Sequence, residues 1–180
     1  AYFRPDTLPE GVQPELVATR HFVPRAFPFA FTNGVQASYL EVDVETGFVR
    51  LLKHWVVEDC GTVINPQLVD EQIRGGVVQG IGGALFEECI YDASGQMRNA
   101  NMADYLVPMA AEMPDIEVGH VETPTRESLL GAKGCGEAGT GGAPGAIMNA
   151  INDALAPLGA VLTEQPATPE RILRALGKVR

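Results

Sequence analysis

The sequence predicts an α+β fold in which antiparallel hairpin strands pack with helices. Residues 35–44 and 48–58 are dense in β-branched and aromatic side chains, and Glu45-Thr46-Gly47 separates them, a pattern typical of a long hairpin. Apolar residues then recur at helical spacing over 68–88, and an apolar run of small residues covers 142–158. Strands grouped before helices, rather than alternating strictly with them, favour this class.

The ends of these helices carry recognisable signals. Asn65-Pro66 is a suitable helix entry because proline is favoured in the first turn, and Gly159 is placed to end the second helix. Thr168 is the expected N-cap of a last helix that starts at Pro169. The first helix contains five glycines, each costing roughly 0.8–1 kcal/mol relative to alanine. We therefore expect close contact with neighbouring groups to compensate for this cost.

Shorter elements complete the prediction. Residues 1–30 are rich in proline and read as an extended arm, with a short strand possible over 16–22, and residues 31–180 form the folded lobe. The turn at 92–95 is expected to join two short strands, and 116–122 alternates like another strand.

Charge and composition restrict the possible partners. The formal net charge of −10 disfavours nucleic acid or an anionic membrane as a partner, and no apolar run is long enough for a membrane span. No secretion signal is visible, so we expect a cytoplasmic protein, or a periplasmic one if a targeting segment is missing. Three cysteines without a CxxC pair predict reduced thiols rather than a zinc site or a disulfide framework.

The most informative segment is the glycine-rich loop over 131–142, which leads directly into an apolar helix. Its backbone N–H groups suit close approach by a large ligand, and the carboxylate of Glu137 stands among them as a candidate acid or base. Gly134, Gly136 and Gly139 formally match the dinucleotide fingerprint GxGxxG. No strand of useful length precedes them, and Glu137 would oppose a pyrophosphate, so nucleotide binding is disfavoured.

Three blocks of sequence stand in a fixed order and together are specific. They are 59–66, DCGTVINP; 72–80, QIRGGVVQG, with Glu87-Glu88; and 133–139, KGCGEAG, leading to 149–155, NAINDAL. From about Arg20 to Leu176 the chain resembles the C-terminal part of the molybdopterin-binding large subunit of the xanthine dehydrogenase/aldehyde oxidase family, the molybdenum hydroxylases. The resemblance implies one lobe of a larger molybdenum-cofactor-binding subunit.

The resemblance also implies roles for particular residues. A pterin dithiolene holds the molybdenum without a protein ligand, and Glu137 is the implied general base that takes a proton from Mo–OH during oxidation of an aldehyde or N-heterocycle. Gln72 is expected to hydrogen-bond the pterin, and Gln79 is a second, weaker candidate. The backbone N–H groups of Gly136, Ala138 and Gly139 are expected to line the cofactor pocket.

Partners follow from the same resemblance. Iron–sulfur clusters and FAD are expected on partner subunits, and the remainder of the large subunit is expected to supply the other cofactor-binding and substrate-selecting loops. The isolated chain should therefore be inactive. Ala138-Gly139 replaces the Pro-Pro of xanthine-oxidising relatives, which disfavours xanthine as the small-molecule substrate. The alternative function is a noncatalytic scaffold or assembly domain derived from this family.

Overall fold

The computed structural model describes residues 8–12, 17–23 and 30–179. Within them lie three strands and three α-helices, joined by loops and two short 3₁₀ segments at Ala110–Glu112 and Ala156–Leu158. The strands are β1 Asn33–Val42, β2 Val49–Asp59 and β3 Asp115–His120. The helices are α1 Pro66–Leu85, α2 Ala138–Leu155 and α3 Pro169–Ala175. These elements confirm the predicted α+β class.

The three strands form one sheet in the order β1-β2-β3. Strands β1 and β2 are antiparallel, with Asn33 opposite Asp59, which confirms the predicted hairpin. Strand β3 pairs parallel to β2, with Lys53 opposite Asp115, so the sheet is mixed rather than purely antiparallel. Parallel pairing needs a long crossover, and α1 lies within the connection that provides it.

Helices α1 and α2 pack together, and α2 also lies against β1. Because strand side chains alternate, His54, Val56 and Glu58 in the second half of β2 are buried, whereas Trp55 and Val57 between them are exposed. The largest completely buried apolar side chains come mainly from the two helices: Ile73, Val77, Ile81, Ile147, Ile151 and Leu155. None of the described helices combines the length and apolar character that crossing a bilayer requires.

Helix α1 begins as predicted. Asn65 is its N-cap, and the Asn65 Oδ1 accepts a hydrogen bond from Leu68 N at 3.3 Å, with Pro66 following. The helix ends at Leu85, three residues before the predicted end, because the N–H groups of Phe86 and Glu87 both donate to Gly82 O. Thr168 caps α3 as predicted, since its hydroxyl accepts from Arg171 N at 3.3 Å.

The glycines of α1 serve mainly the contact with α2. A Cβ on Gly80 would lie 2.7 Å from Ala143 Cβ, and one on Gly76 would lie 3.1 Å from Thr140 N. At these two positions close approach of a neighbouring helix compensates the lost helix propensity. A Cβ on Gly75 would meet no atom within 4 Å among the residues that the structure describes, so close packing there does not explain Gly75.

Three local predictions differ from the structure. Helix α2 begins at Ala138 instead of 142, because contacts with α1 hold its glycine-rich first turn despite poor intrinsic propensity. Residues 17–22 form no strand, since no described segment pairs with them, and residue 16 lies outside the described part. The turn at 92–95 is present, but only a single bridge, Tyr91 to Met97, flanks it. Most of the predicted arm over 1–30 also lies outside the described residues.

Candidate functional site

Glu137 stands at the N-terminus of α2. It is the N-cap residue, and its carbonyl oxygen accepts from Thr140 N at 3.2 Å and Gly141 N at 3.3 Å. Its side chain is exposed and makes no capping hydrogen bond. The carboxylate is therefore not used by its own helix, although the helix dipole stabilises negative charge at this end.

Both predicted glutamines lie on α1, beside the start of α2. Gln72 Nε2 donates to Gly136 O at 2.7 Å, which ties α1 to the residue immediately before Glu137. Gln79 Oε1 accepts from Thr140 Oγ1 at 3.4 Å, and that hydroxyl also donates to Gly76 O at 3.1 Å. The structure thus brings Gln72 and Glu137 to one edge of the helix pair and places Gln79 two helical turns further along α1.

The three predicted backbone positions have different surroundings. Gly136 is exposed, and a Cβ there would meet nothing within 4 Å. Ala138 and Gly139 are buried. A Cβ on Gly139 would collide with the carbonyl oxygen of Ile73 and lie 2.7 Å from Val77 N. Gly139 is therefore required first for packing on α1, and a role of its N–H group in cofactor binding stays a prediction.

Sequence reasoning missed Gln36, whose side chain reaches from β1 to the first turn of α2. Gln36 Nε2 donates to Gly139 O at 2.9 Å and lies 3.4 Å from Ala138 O, while Gln36 Oε1 is 3.1 Å from His54 Nε2. The Oγ of Ser38 lies 2.8 Å from the other ring nitrogen of His54. The available signal was the presence of polar residues at inward positions of the hairpin, where an apolar residue is usual.

His54 is the buried member of this network on β2. Its side chain has no exposed surface, and burial lowers the pKa of His54 below its usual 6.5. The imidazole is therefore neutral near pH 7, with one ring nitrogen that donates and one that accepts.

A second buried group, Glu58, lies beside Gln36. Only 3% of the residue is exposed, and its Oε1 is 3.4 Å from Gln36 Nε2. A Cβ on Gly34 would collide with this carboxylate, so the glycine makes room for it. Burial raises the pKa of Glu58, and the Gln36 amide acts in the opposite direction. Burial also raises the pKa of Cys135, with smaller contributions from Cys60 and Glu58.

Four glycines near the start of α2 and on α1 have no close neighbour. Added Cβ atoms at Gly75, Gly136, Gly141 and Gly145 would meet no atom of the described residues within 4 Å. The exposed backbone stands next to the Glu137 carboxylate and the Gln72 amide. A pterin has a polar edge of donors and acceptors, and this set of groups fits such an edge without a protein ligand to its metal.

Comparison with known proteins shows which family this chain is similar to. The sequence profile of the family described as molybdopterin cofactor-binding domain matches residues 2–114, more than half of the chain. The nicotine 6-hydroxylase large subunit of Paenarthrobacter nicotinovorans is 46% identical over 174 residues, which are 97% of this chain and 21% of that protein. The carbon monoxide dehydrogenase large chain of Hydrogenophaga pseudoflava is 32% identical over 176 residues, 98% of this chain and 21% of that protein.

Solved structures agree with these relatives. Quinoline 2-oxidoreductase from Pseudomonas putida 86 matches with a TM-score of 0.84 and 42% sequence identity, over 99% of this chain and 22% of that chain. The fold and the site therefore define a segment of a cofactor-binding subunit. The chain belongs to the molybdopterin-binding large subunits of the molybdenum hydroxylase family. It spans about a fifth of the length of the relatives that it matches.

Proposed function

We propose that this chain is the segment of a molybdenum hydroxylase that supplies the general base, Glu137, and part of the cofactor-binding wall. The observation that carries the proposal is the exposed Glu137 carboxylate, which caps no helix and follows a residue held by Gln72. A general base must be free to meet its proton yet fixed in position. Glu137 satisfies both conditions because its side chain is free and its backbone is held.

The chemistry divides between the cofactor and the chain. When bound, the molybdenum cofactor supplies the oxygen that enters the substrate and accepts the electrons that leave it. The Glu137 carboxylate would accept the proton that is released when the substrate is oxidised. Glu137 stands at the N-terminal end of α2, where its backbone is part of the helix start and its side chain makes no capping hydrogen bond.

Only part of the Gln72 amide is available to bind the cofactor. One N–H of its Nε2 is committed to Gly136 O. Its Oε1 and its second N–H have no hydrogen-bond partner among the described residues, and in this proposal they meet one donor and one acceptor on a pterin. In this proposal Gln72 both binds the cofactor and fixes the loop that carries Glu137, so the two functions are linked through one side chain.

The proposed substrate is an N-heteroaromatic ring. Support comes from the similarity to the nicotine 6-hydroxylase large subunit and to quinoline 2-oxidoreductase, both at more than 40% identity. The carbon monoxide dehydrogenase large chain is less similar, at 32%. The ring carbon next to the nitrogen is electron-poor and is therefore the position that nucleophilic oxygen attacks. The proposed partners are the remainder of the large subunit and subunits that carry iron–sulfur clusters and FAD.

The test is Glu137→Gln in the complete enzyme. Removal of a general base predicts a fall in kcat of about 10²–10⁴-fold with pyridine-type or quinoline-type substrates. Molybdenum and pterin content should stay at the wild-type level, because the substitution preserves size and leaves the Gln72 contact intact. The matched control is Glu41→Gln on β1, an exposed glutamate that pairs only with Arg50, and it should leave the rate unchanged. Full activity of Glu137→Gln would reject the assignment.

A further inference from the structure

We propose that Gln36 is a positioning residue for Glu137: its amide joins the buried His54 on the sheet to the first turn of α2. This inference rests on the proposed function of Glu137 as the base. Gln36 belongs to β1, and the carbonyl groups that it meets are more than 100 residues away in sequence. The connection therefore fixes the start of α2 relative to the sheet rather than within its own loop.

The orientation of the Gln36 amide follows from its neighbours. Its nitrogen faces three acceptors: the carbonyl oxygen of Gly139 at 2.9 Å, and the carbonyl oxygen of Ala138 and the carboxylate of Glu58, each at 3.4 Å. The reversed amide would place an oxygen against all three, which is repulsive. The amide oxygen is thus directed to His54 Nε2, which must carry the proton.

The His54 ring is fixed in turn by Ser38. With the proton on Nε2, the Nδ1 atom is an acceptor, and Ser38 Oγ lies 2.8 Å from it as the donor. The whole chain of groups, from Ser38 through His54 and Gln36 to Gly139 O, then has matched donors and acceptors. A buried network in which each group has a partner holds its members in a single arrangement.

The first turn of α2 lies between two supports. On one side a Cβ at Gly142 would be 3.0 Å from Gln36 Cδ, so the glutamine side chain packs directly on the helix backbone. On the other side Gly139 contacts the backbone of α1 at Ile73. Loss of the Gln36 support leaves the turn held from the α1 side only. Glu137 directly precedes this turn, so its carboxylate moves with it.

A displaced base slows the chemical step more than substrate binding. Misplacement of a catalytic group by about 1 Å costs on the order of 10²-fold in rate. Gln36→Met keeps the length of the side chain but removes the hydrogen bonds that the Gln36 amide makes to His54, Glu58 and the first turn of α2. In the complete enzyme it should lower kcat by about 10–100-fold while KM stays within about two-fold.

Hydrogen–deuterium exchange supplies a readout that is independent of turnover. The amides of the peptide over 136–147 should exchange faster in Gln36→Met than in wild type, with molybdenum content unchanged. Gln96→Met is the matched control. Gln96 is exposed in the turn that follows α1, and it forms hydrogen bonds with Asp92 and Met97 of the same turn. Unchanged exchange and unchanged kcat in Gln36→Met would overturn the proposal.

A double variant separates positioning from general structural damage. If Gln36 acts through Glu137, then Gln36→Met should lower the rate of the Glu137→Gln enzyme no further, because the two effects are not additive. A double variant with a kcat 10-fold or more below that of the Glu137→Gln enzyme would contradict the positioning role of Gln36. Full activity of Glu137→Gln alone would instead reject the proposed base, so the two failures are distinguishable.

Should Gln36→Met fail to accumulate as folded enzyme, Ser38→Ala replaces it. This change removes the hydroxyl that fixes the His54 tautomer and leaves the Gln36 bonds in place. It should lower kcat about 2–5-fold, a smaller effect because the change removes a single neutral hydrogen bond. The same lack of further loss is expected in the Glu137→Gln background. A Ser38→Ala enzyme with wild-type kcat would contradict the inference.

Discussion

Lys133 Nζ lies 3.0 Å from Oδ2 of Asp59, and the two side chains are only 14% and 8% exposed. This ion pair joins the beginning of the glycine loop to the last residue of β2. Asp59 also accepts hydrogen bonds from the N–H groups of Gly61 and Thr123. The bond from Gly61 contributes most to lowering the pKa of Asp59, and Lys133 acts in the same direction. The loop that carries Glu137 is thus anchored at its start as well as along its length.

Lys133→Met should destabilise this anchor, because it leaves the Asp59 carboxylate enclosed without its cation. We expect the thermal unfolding midpoint of the enzyme to fall by about 2–4 °C. Arg50→Met is the control: it breaks the ion pair with Glu41, whose members are 76% and 57% exposed, and exposed pairs contribute little. Equal midpoints for the two variants would contradict an anchoring role for Lys133.

Gly139→Ala should damage the contact between α1 and α2, because the new methyl group meets the fixed carbonyl of Ile73. Overpacking of this kind costs about 1–3 kcal/mol. We expect a lower unfolding midpoint and a reduced kcat, measured together on the same preparation. Gly83→Ala on α1 is the matched control, since a Cβ there meets nothing within 4 Å and alanine favours the helix. A midpoint for Gly139→Ala at or above that of Gly83→Ala would show that the contact is not as close as described.

Gln72→Leu should reduce the fraction of enzyme that retains its cofactor. The substitution removes the bond to Gly136 O and the free amide groups proposed to face the pterin. We expect molybdenum content to fall by about 2–10-fold, consistent with loss of one or two hydrogen bonds. Gln67→Leu, an exposed glutamine in the first turn of the same helix, should retain wild-type content. The measurement is metal analysis of purified enzyme, and equal content in both variants would exclude Gln72 from cofactor binding.

His54 predicts a pH dependence of stability. Because its pKa is lower in the folded state, the unfolded chain gains a proton below pH 6.5 that the folded chain does not. Stability should therefore decrease as pH falls from 6.5, by at most about 1.4 kcal/mol per pH unit for one proton. Glu58 acts oppositely, since its raised pKa stabilises the fold at low pH and this contribution is lost as pH rises above its ordinary value of 4.5.

His54→Asn isolates the histidine contribution. Unfolding midpoints measured in steps from pH 7.5 to 5.5 should decline less steeply in His54→Asn than in wild type. The Glu58 contribution is common to both proteins and cancels in the comparison of slopes. If the unfolding midpoints of the two proteins changed equally with pH, His54 would take up a proton at the same pH in the folded and the unfolded chain.

The elements that were predicted correctly are those whose sequence signals lie within a few neighbouring residues. The hairpin followed from side-chain type and a short turn, and Asn65 and Thr168 were recognised as caps because capping depends only on neighbours within four residues. The parallel pairing of β3 was not predicted, since register with β2 depends on a crossover rather than on the strand itself. The early start of α2 was missed because contacts with α1 decide it.

The candidate site divides in the same way. Glu137 was found from its place in a glycine loop, and Gln72 from resemblance to a family, and the structure brings both to one edge. The only local signal for Gln36 and His54 is a polar residue at an inward position of the hairpin, and this signal does not identify the partner of either residue. A glutamine and a histidine in strands become informative only when the fold sets them against each other and against Gly139, 103 residues away from Gln36.

That separation has a consequence for how the protein assembles. The hairpin of β1 and β2 can form early, because its two strands are close in sequence. The hydrogen bond from Gln36 to Gly139 needs 103 residues of chain to close first, with α1 already in position. We expect the surroundings of Glu137 to be among the last parts to become ordered during folding, so that the reactive carboxylate reaches its working position only on a finished scaffold.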